Sequence, residues 1–600
     1  MFGTHEKFQL IRVPYARRGS VLYIYEDFYN PTQLKLGMSR HAEMLSGTDF
    51  MFTIELTANG VSVPYEYYAD EGSVKLTHGY RWVEFSFTDR QHLRVRGFEA
   101  GVRLKLDSTT EGNGAKALRG VRSLKDVGWD AEMGKYGTMK FVPIKGSLNV
   151  NAPYCNDLGK YACAEFTFEP DAATRTFDGA MHEIDAGAEL FPFGIYEPFD
   201  ALVADNKADF AEFLSKYRKV AHGYEETARY AVYTIWAYRT NPRGYIKTPT
   251  IMFSLTWAIV AAAWQQSYNA MPMQADLQEA WRQICLMFDY QDERTGRVDG
   301  MIAYTGAAAA MQPPFQGFAL EFILRNVGDD FISVAEAKKM YPKFGRWIDY
   351  WTTYRSAGRT DDGADVTEIF TPHESGWDDA SNFKDGFPAR DPNTSAFLVL
   401  LMECTALLAR KAGDVEIADA WQTRAEKLTK IIIDEHWNGE KFVTLVKGKP
   451  IADAMSLSCY QPLMLGKRLP QHIIDKCAER LMAPGEWLTE IGLASESMKS
   501  ELVTFGISFV CGRVVAPQNM IMAVSLQAAG KQAEAEEVAR RFCDNVKEKG
   551  IILGFAPYDH FPLTGEPAPD QPMPFATDGW PWTTWCANGF LTLASNILNA

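Results

Sequence analysis

The chain has 600 residues, 46% of them hydrophobic and 23% charged, which is ordinary globular composition and excludes a disordered or fibrous protein. That length exceeds what one hydrophobic core usually serves, so at least two domains are expected. A formal charge of −15 with no basic stripe excludes nucleic acid as the partner, because binding it requires cations that displace counterions. Aromatic residues are the compositional excess at 13%; they fill a large core and also suit stacking on sugar rings. The nine cysteines are an odd number with no C-x-x-C pair, as in a protein with reduced thiols. The N-terminal stretch shows no signal-peptide pattern, which predicts a cytoplasmic location. No apolar run long enough for a bilayer is apparent, so no membrane partner is expected.

Residues from about 8 to 195 read as β. Val102, Leu104 and Leu106 alternate with Arg103, Lys105 and Asp107, and Val83, Phe85 and Phe87 alternate with Glu84, Ser86 and Thr88, the period of half-buried strands. Turn signals at Ala58-Asn59-Gly60 and Asp70-Glu71-Gly72 recur at sandwich spacing. The Gly-rich piece at 112–117 lacks a strand–turn–helix context and reads as a loop. The texture changes near 196–212, and from there to the end helical periodicity dominates, in about a dozen segments broken by Gly, Pro and Asn. The expected architecture is multidomain α+β: an N-terminal antiparallel β-sandwich-like domain over 1–205, then an (α/α)6 toroid over 206–600. An open solenoid would show clearer self-similarity.

The segment Thr371-Pro372-His373-Glu374-Ser375-Gly376-Trp377-Asp378-Asp379-Ala380-Ser381 is the most informative. It is dense in carboxylates, with a glycine for a tight turn and a tryptophan able to stack on a sugar. Glycoside hydrolysis uses one carboxylic acid to protonate the leaving oxygen and a second carboxylate to activate water or attack carbon. An acid beside a large aromatic is partly desolvated and holds its proton to higher pH. No H-E-x-x-H or Cys/His cluster offers a metal site, no Gly-x-Ser-x-Gly elbow indicates an acyl-enzyme, and no cofactor is called for.

The Glu374-Ser375-Gly376-Trp377-Asp378 run resembles the corresponding motif of the helical-toroid glycosidases of glycoside hydrolase family 63 and the related trehalases of family 37. Further blocks resemble theirs in the same order: Trp264 to Ala270, Gln312 to Gly317, Asp391 to Thr394, Leu493 to Ser497 and Pro562 to Glu566. The resemblance spans about 225–600 and implies that Asp378 is the general acid. Asn393 and Thr394 also read as helix caps.

Three positions depart from the pattern. Gln265 stands where the relatives keep an Asp that grips sugar hydroxyls, which predicts altered sugar specificity. The late Arg-Gly-Pro stretch is altered around Gly512-Arg513. The base is displaced: one deleted residue places Asp559 there, the trehalase pattern places Asp578 there, and Glu496 or Glu566 remain further candidates. The resemblance thus implies an exo-acting, inverting glycosidase for a small α-linked glycoside, with Trp377, Glu374, His373, Trp264, Gln265, Gln316, Trp580 and Trp582 as substrate contacts. A sugar phosphorylase, another toroid sugar enzyme, or a carbohydrate-binding protein with a degenerate site are the alternatives. The sequence leaves open the sugar, a homo-oligomer and a structural Ca²⁺.

Overall fold

The computed structural model describes residues 8–17, 20, 22–27, 30–38, 50–88, 92–107, 118–125, 127–133, 137–184, 194–254, 259–308, 310–505, 510–567 and 579–599. The Gly-rich piece at 112–117 and Asp578 lie outside these residues.

The front of the chain forms two antiparallel sheets. One orders its strands Leu22–Glu26, Leu34–Met38, Phe50–Ala58, Gly101–Asp107, Cys163–Glu169 and Ser147–Asn151, with Val61–Val63 paired to Phe50–Ala58. The other runs Gly120–Ser123, Trp129–Glu132, Thr138–Lys145, Thr176–Ile184, His92–Phe98, Arg81–Phe87, Val74–His78 and Glu66–Ala69. Their inner faces meet through apolar side chains, as in the stacked pair Phe141 and Phe166, whose ring centres are 4.0 Å apart, and Phe52 against Phe141. The alternation read from the sequence sets these faces. The Asn59-Gly60 hairpin is likewise present: both residues have positive φ, 51° and 79°, as that tight turn requires.

The strand Arg81–Phe87 departs from the half-buried expectation, because Glu84 and Ser86 on its polar face are also buried. The first helix, α1 (Phe199–Leu214), covers them: Asn206 Nδ2 donates to Ser86 Oγ and to the Phe87 carbonyl, and Arg96 joins Glu84 to Asp200. Periodicity reports the chemistry of a face, and a polar partner can bury it all the same.

The helical region closes on itself. Among the described residues, six inner segments pack in a ring: α3 (Ala263–Ala270), α5 (Gln316–Val327), α7 (Pro392–Ala412), the 3₁₀ segment Leu457–Arg468, α10 (Ala516–Ala528) and α12 (Thr584–Asn596), the last returning to the first. Six outer helices back them: α2 (Glu225–Ala237), α4 (Leu277–Cys285), α6 (Val334–Tyr354), α8 (Val415–Ile431), α9 (Gln471–Leu481) and α11 (Gln532–Lys549). This is an (α/α)6 toroid. Helix α7 shows why a sequence scan for membrane spans misleads in both directions. It is long and apolar enough to cross a bilayer, contrary to the sequence reading, but it is an inner helix buried in the toroid.

Connection lengths fix which end of the toroid carries chemistry. Every link from an inner to an outer helix is short, such as 413–414 and 529–531. The links entering inner helices are long, 238–262, 286–315, 355–391, 432–456, 482–515 and 550–583. All six therefore gather where the inner helices begin, and long loops on a rigid scaffold are where functional side chains sit. The β domain docks through Phe8 on Tyr230 and Tyr233 and through the Ala16 N–H donated to Tyr233 Oη.

Candidate active site

Asp378 lies on the 355–391 link, and the residues before it act mainly to hold that link. Glu374 is 2% exposed; its Oε1 takes a 2.6 Å bond from Arg355 Nε and its Oε2 a 2.7 Å bond from the Phe370 N–H. Both oxygens are used inside the protein, so Glu374 anchors the loop rather than contacting substrate as the sequence reading expected. Gly376 turns the chain at φ 75°, and a Cβ there would lie 2.4 Å from the Trp264 ring. Only glycine permits both the conformation and the approach.

Trp377 is 1% exposed, and its indole N–H donates to Gln461 Oε1 at 2.6 Å. Trp264, also buried, meets Trp585 edge to face at 5.1 Å. The stacking on sugar expected of Trp377 and Trp264 gives way to packing. These rings form the rigid bed under the loop, which leaves Asp378, 33% exposed at its side chain, facing outward.

Two groups flank that carboxylate. His373 Nδ1 is 3.1 Å from Asp378 Oδ1, and this bond raises the imidazole pKa above its ordinary value, while burial opposes the rise and the charges of Asp378 and Glu374 add to it. Asp379 accepts a 3.2 Å bond from the Val510 N–H. Its side chain reaches the surface, yet the surrounding protein desolvates it enough to push its carboxyl up to about 6, against the Val510 bond and with the Asp378 charge assisting.

The other expected residues divide. Gln265 is fully buried; its Oε1 accepts the Ala262 N–H at the start of α3 and its Nε2 donates to Thr584 Oγ1 at 2.5 Å. It is a helix cap and a tie between α3 and α12. Trp582 is 1% exposed and donates to the Ile11 carbonyl beside Tyr25, so it joins the toroid to the β domain. Trp580 lies on the strand Gly579–Pro581, with its side chain outside the described residues. Asp559 is exposed over 97% of its side chain and held by His560 at 2.7 Å, which lowers its pKa. Glu566 is exposed and Glu496 is sealed at 0% exposure. The cap of α7 is Asp391, which accepts the Thr394 N–H at 2.9 Å, in place of the Asn393 and Thr394 expected.

Sequence reading missed Gln461 and Gln518. Gln518 Nε2 donates to the Gly376 carbonyl at 3.3 Å, so two inner segments steady the Asp378 loop. Neither sits in a recognisable motif; only their place on the first turns of inner helices marks them. Gln316 Oε1, Gln461 Nε2, Gln518 Oε1, Trp264 Nε1 and Trp585 Nε1 are all buried without a hydrogen-bond partner, and each residue belongs to the start of an inner segment. Unpaired buried polar atoms are rare and costly. Among the described residues, no cluster of His, Cys, Asp or Glu could hold a metal.

Residues 256–583 match the family model of the mannosylglycerate hydrolase MGH1-like glycoside hydrolase domain. The chain belongs to that family. It is therefore a glycoside hydrolase with a carbohydrate substrate, and the matched residues include Trp264 and the Asp378 loop and end just before α12. Among solved structures, a bacterial glucoamylase complexed with acarbose is similar over 99% of this chain and 96% of its own, at 13% identity and a TM-score of 0.58, a likeness of fold that includes the front sheets. The family 63 mannosylglycerate hydrolase from Thermus thermophilus in complex with Tris is similar over 61% of this chain and 99% of its own, at 15% identity and a TM-score of 0.49. No curated protein matches the sequence.

Proposed function

We propose that this glycoside hydrolase is an exo-acting, inverting enzyme for a small α-linked glycoside, with Asp378 as its general acid. The observation that carries the reading is the setting of Asp378. It is a partly exposed carboxylate on a loop clamped from below by Glu374, Trp377 and Gln518, at the end of the toroid where all six long links gather. In this role Asp378 protonates the glycosidic oxygen as the bond to the sugar carbon breaks, and a second carboxylate removes a proton from the attacking water. Asp559 and Asp578 are the proposed sources of that base; the full exposure of Asp559 means that its segment must close toward the mouth to serve.

The family description makes mannosylglycerate the first compound to test, followed by trehalose, maltose and α-linked mannobiose. Asp378→Asn is expected to lower kcat on the compound turned over by at least about a hundredfold, the usual scale of lost acid catalysis, while circular dichroism and Tm stay near wild type. Wild-type turnover by that variant would refute the assignment. An activated aryl glycoside is the wrong probe, because its leaving group departs without a proton.

A further inference from the structure

Glu496 is a fully buried carboxyl group that the proposed acid–base pair does not include. Its Oε2 takes a 2.9 Å hydrogen bond from Ser381 Oγ, and Ser381 Oγ in turn accepts the Met455 N–H at 3.1 Å. Its Oε1 makes no hydrogen bond of good geometry. Ser381 is three residues beyond Asp378, at the start of the 3₁₀ turn Ser381–Phe383.

Glu496 itself stands in a small layered strip at the toroid mouth. It bridges Ser456 in antiparallel fashion; the Leu457 N–H donates to the Ser495 carbonyl and the Ser497 N–H to the Met455 carbonyl, both at 2.9 Å. On its other side Ala494 bridges Val514, and the Gly512 N–H donates to Ser495 Oγ. The strip therefore joins the links that enter the 3₁₀ segment Leu457–Arg468 and α10, and Glu496 is its point of attachment to the link that carries the acid.

We propose that Glu496 is a positioning residue for the acid: through Ser381 it fixes the loop carrying Asp378 against the strip formed by 455–457, 494–497 and 512–514. This rests on Asp378 being the acid. The hold is also sensitive to pH. The charged or titratable groups that face Glu496 are Lys441, Lys384, Cys459 and Cys511. Lys441 is bonded to the Ala454 carbonyl and Lys384 to Asp453, so among the described residues neither forms an ion pair with Glu496. Burial raises the Glu496 carboxyl to about 7, with the hydroxyls of Ser500 and Ser381 and the charge of Lys441 opposing. Below that value the group is a neutral acid that sits comfortably in the strip. Above it the group carries a buried charge that the Ser381 and Ser500 hydroxyls only partly offset, and the surrounding loops must loosen to hydrate it.

Amide hydrogen exchange of 371–383 on the full chain, corrected for intrinsic rates, tests this without any substrate. Wild type is expected to protect the segment at about pH 6 and to lose at least about threefold of that protection at about pH 8, on either side of the carboxyl's titration. Glu496→Gln, neutral at both, is expected to keep protection at both. Ser381→Ala and Glu496→Ala are expected to lose it at both, and their double variant to lose no more than either alone. Unchanged protection in Ser381→Ala, or the same fall with pH in Glu496→Gln as in wild type, would overturn the proposal. If Glu496→Ala does not fold, the Gln and Ser381 variants still decide it. Turnover by Asp378→Asn separately decides whether that residue is the acid, and exchange in that variant reports the strip alone.

Discussion

His373 Nδ1 stands 3.1 Å from Asp378 Oδ1, so the proposed acid is one half of a histidine–carboxylate pair. Because the bond raises the His373 pKa above its ordinary value, the imidazole beside Asp378 holds its proton to higher pH than a free histidine would. His373→Ala is therefore expected to move the alkaline limb of kcat/KM downward by at least about one pH unit. A limb that stays in place would show that the pair does not govern the catalytic proton.

The same pair has a stability signature. A group whose folded pKa is raised contributes stability below its unfolded value, and that contribution is lost as pH rises through the folded value. The Tm gap between wild type and His373→Ala should be wider at about pH 5.5 than at about pH 9. His373 is more than half exposed, so the gap is expected to be small, and equal gaps at both would count against the bond.

Gln265 provides a contrast between motif and geometry. The motif makes it a specificity residue, but both ends of its amide are spent on Ala262 and Thr584. Gln265→Ala should cost about 1–3 kcal/mol in urea unfolding, the usual penalty for stranding buried partners. The ratios of kcat/KM among mannosylglycerate, trehalose and maltose should be unchanged. A reordered preference would restore the motif's reading.

At Gly376 the expected effect is sharper. Alanine there must adopt a positive φ and place its methyl 2.4 Å from a Trp264 ring carbon that is itself packed against Trp585. Gly376→Ala is expected to lower stability by about 2–3 kcal/mol and to reduce kcat more than it raises KM, because the acid moves with the loop. Equal stability and activity would mean that the bed under Asp378 yields easily.

The choice of base has a stereochemical test. An inverting pair of carboxylates leaves room for water at about 6.5–9.5 Å, a retaining pair stands about 5–5.5 Å apart. Following the first-formed anomer by NMR should show inversion. One of Asp559→Asn and Asp578→Asn should be inactive and the other active; retention, or activity in both, would exclude the proposed mechanism.

The sequence by itself determined the architecture and the address of the proposed acid. Periods of 2 and 3.6 are local properties of the chain, so the two-sheet front and the helical back are legible wherever one face is apolar. The run around Trp377-Asp378 is legible because a tight turn beside a carboxylate needs particular residues at fixed spacing. Only the tertiary structure decided what those residues do. Gln265, Glu374, Trp377 and Trp582 look like substrate contacts as letters in a motif, yet each is buried with its polar atoms turned to other parts of the chain. Conversely, Gln461 and Gln518 on inner segments and Glu496 on a link lie far from Asp378 in sequence and meet its loop only because the ring of inner helices closes. Burial and partnership depend on which distant segments fold together, and no local pattern records that.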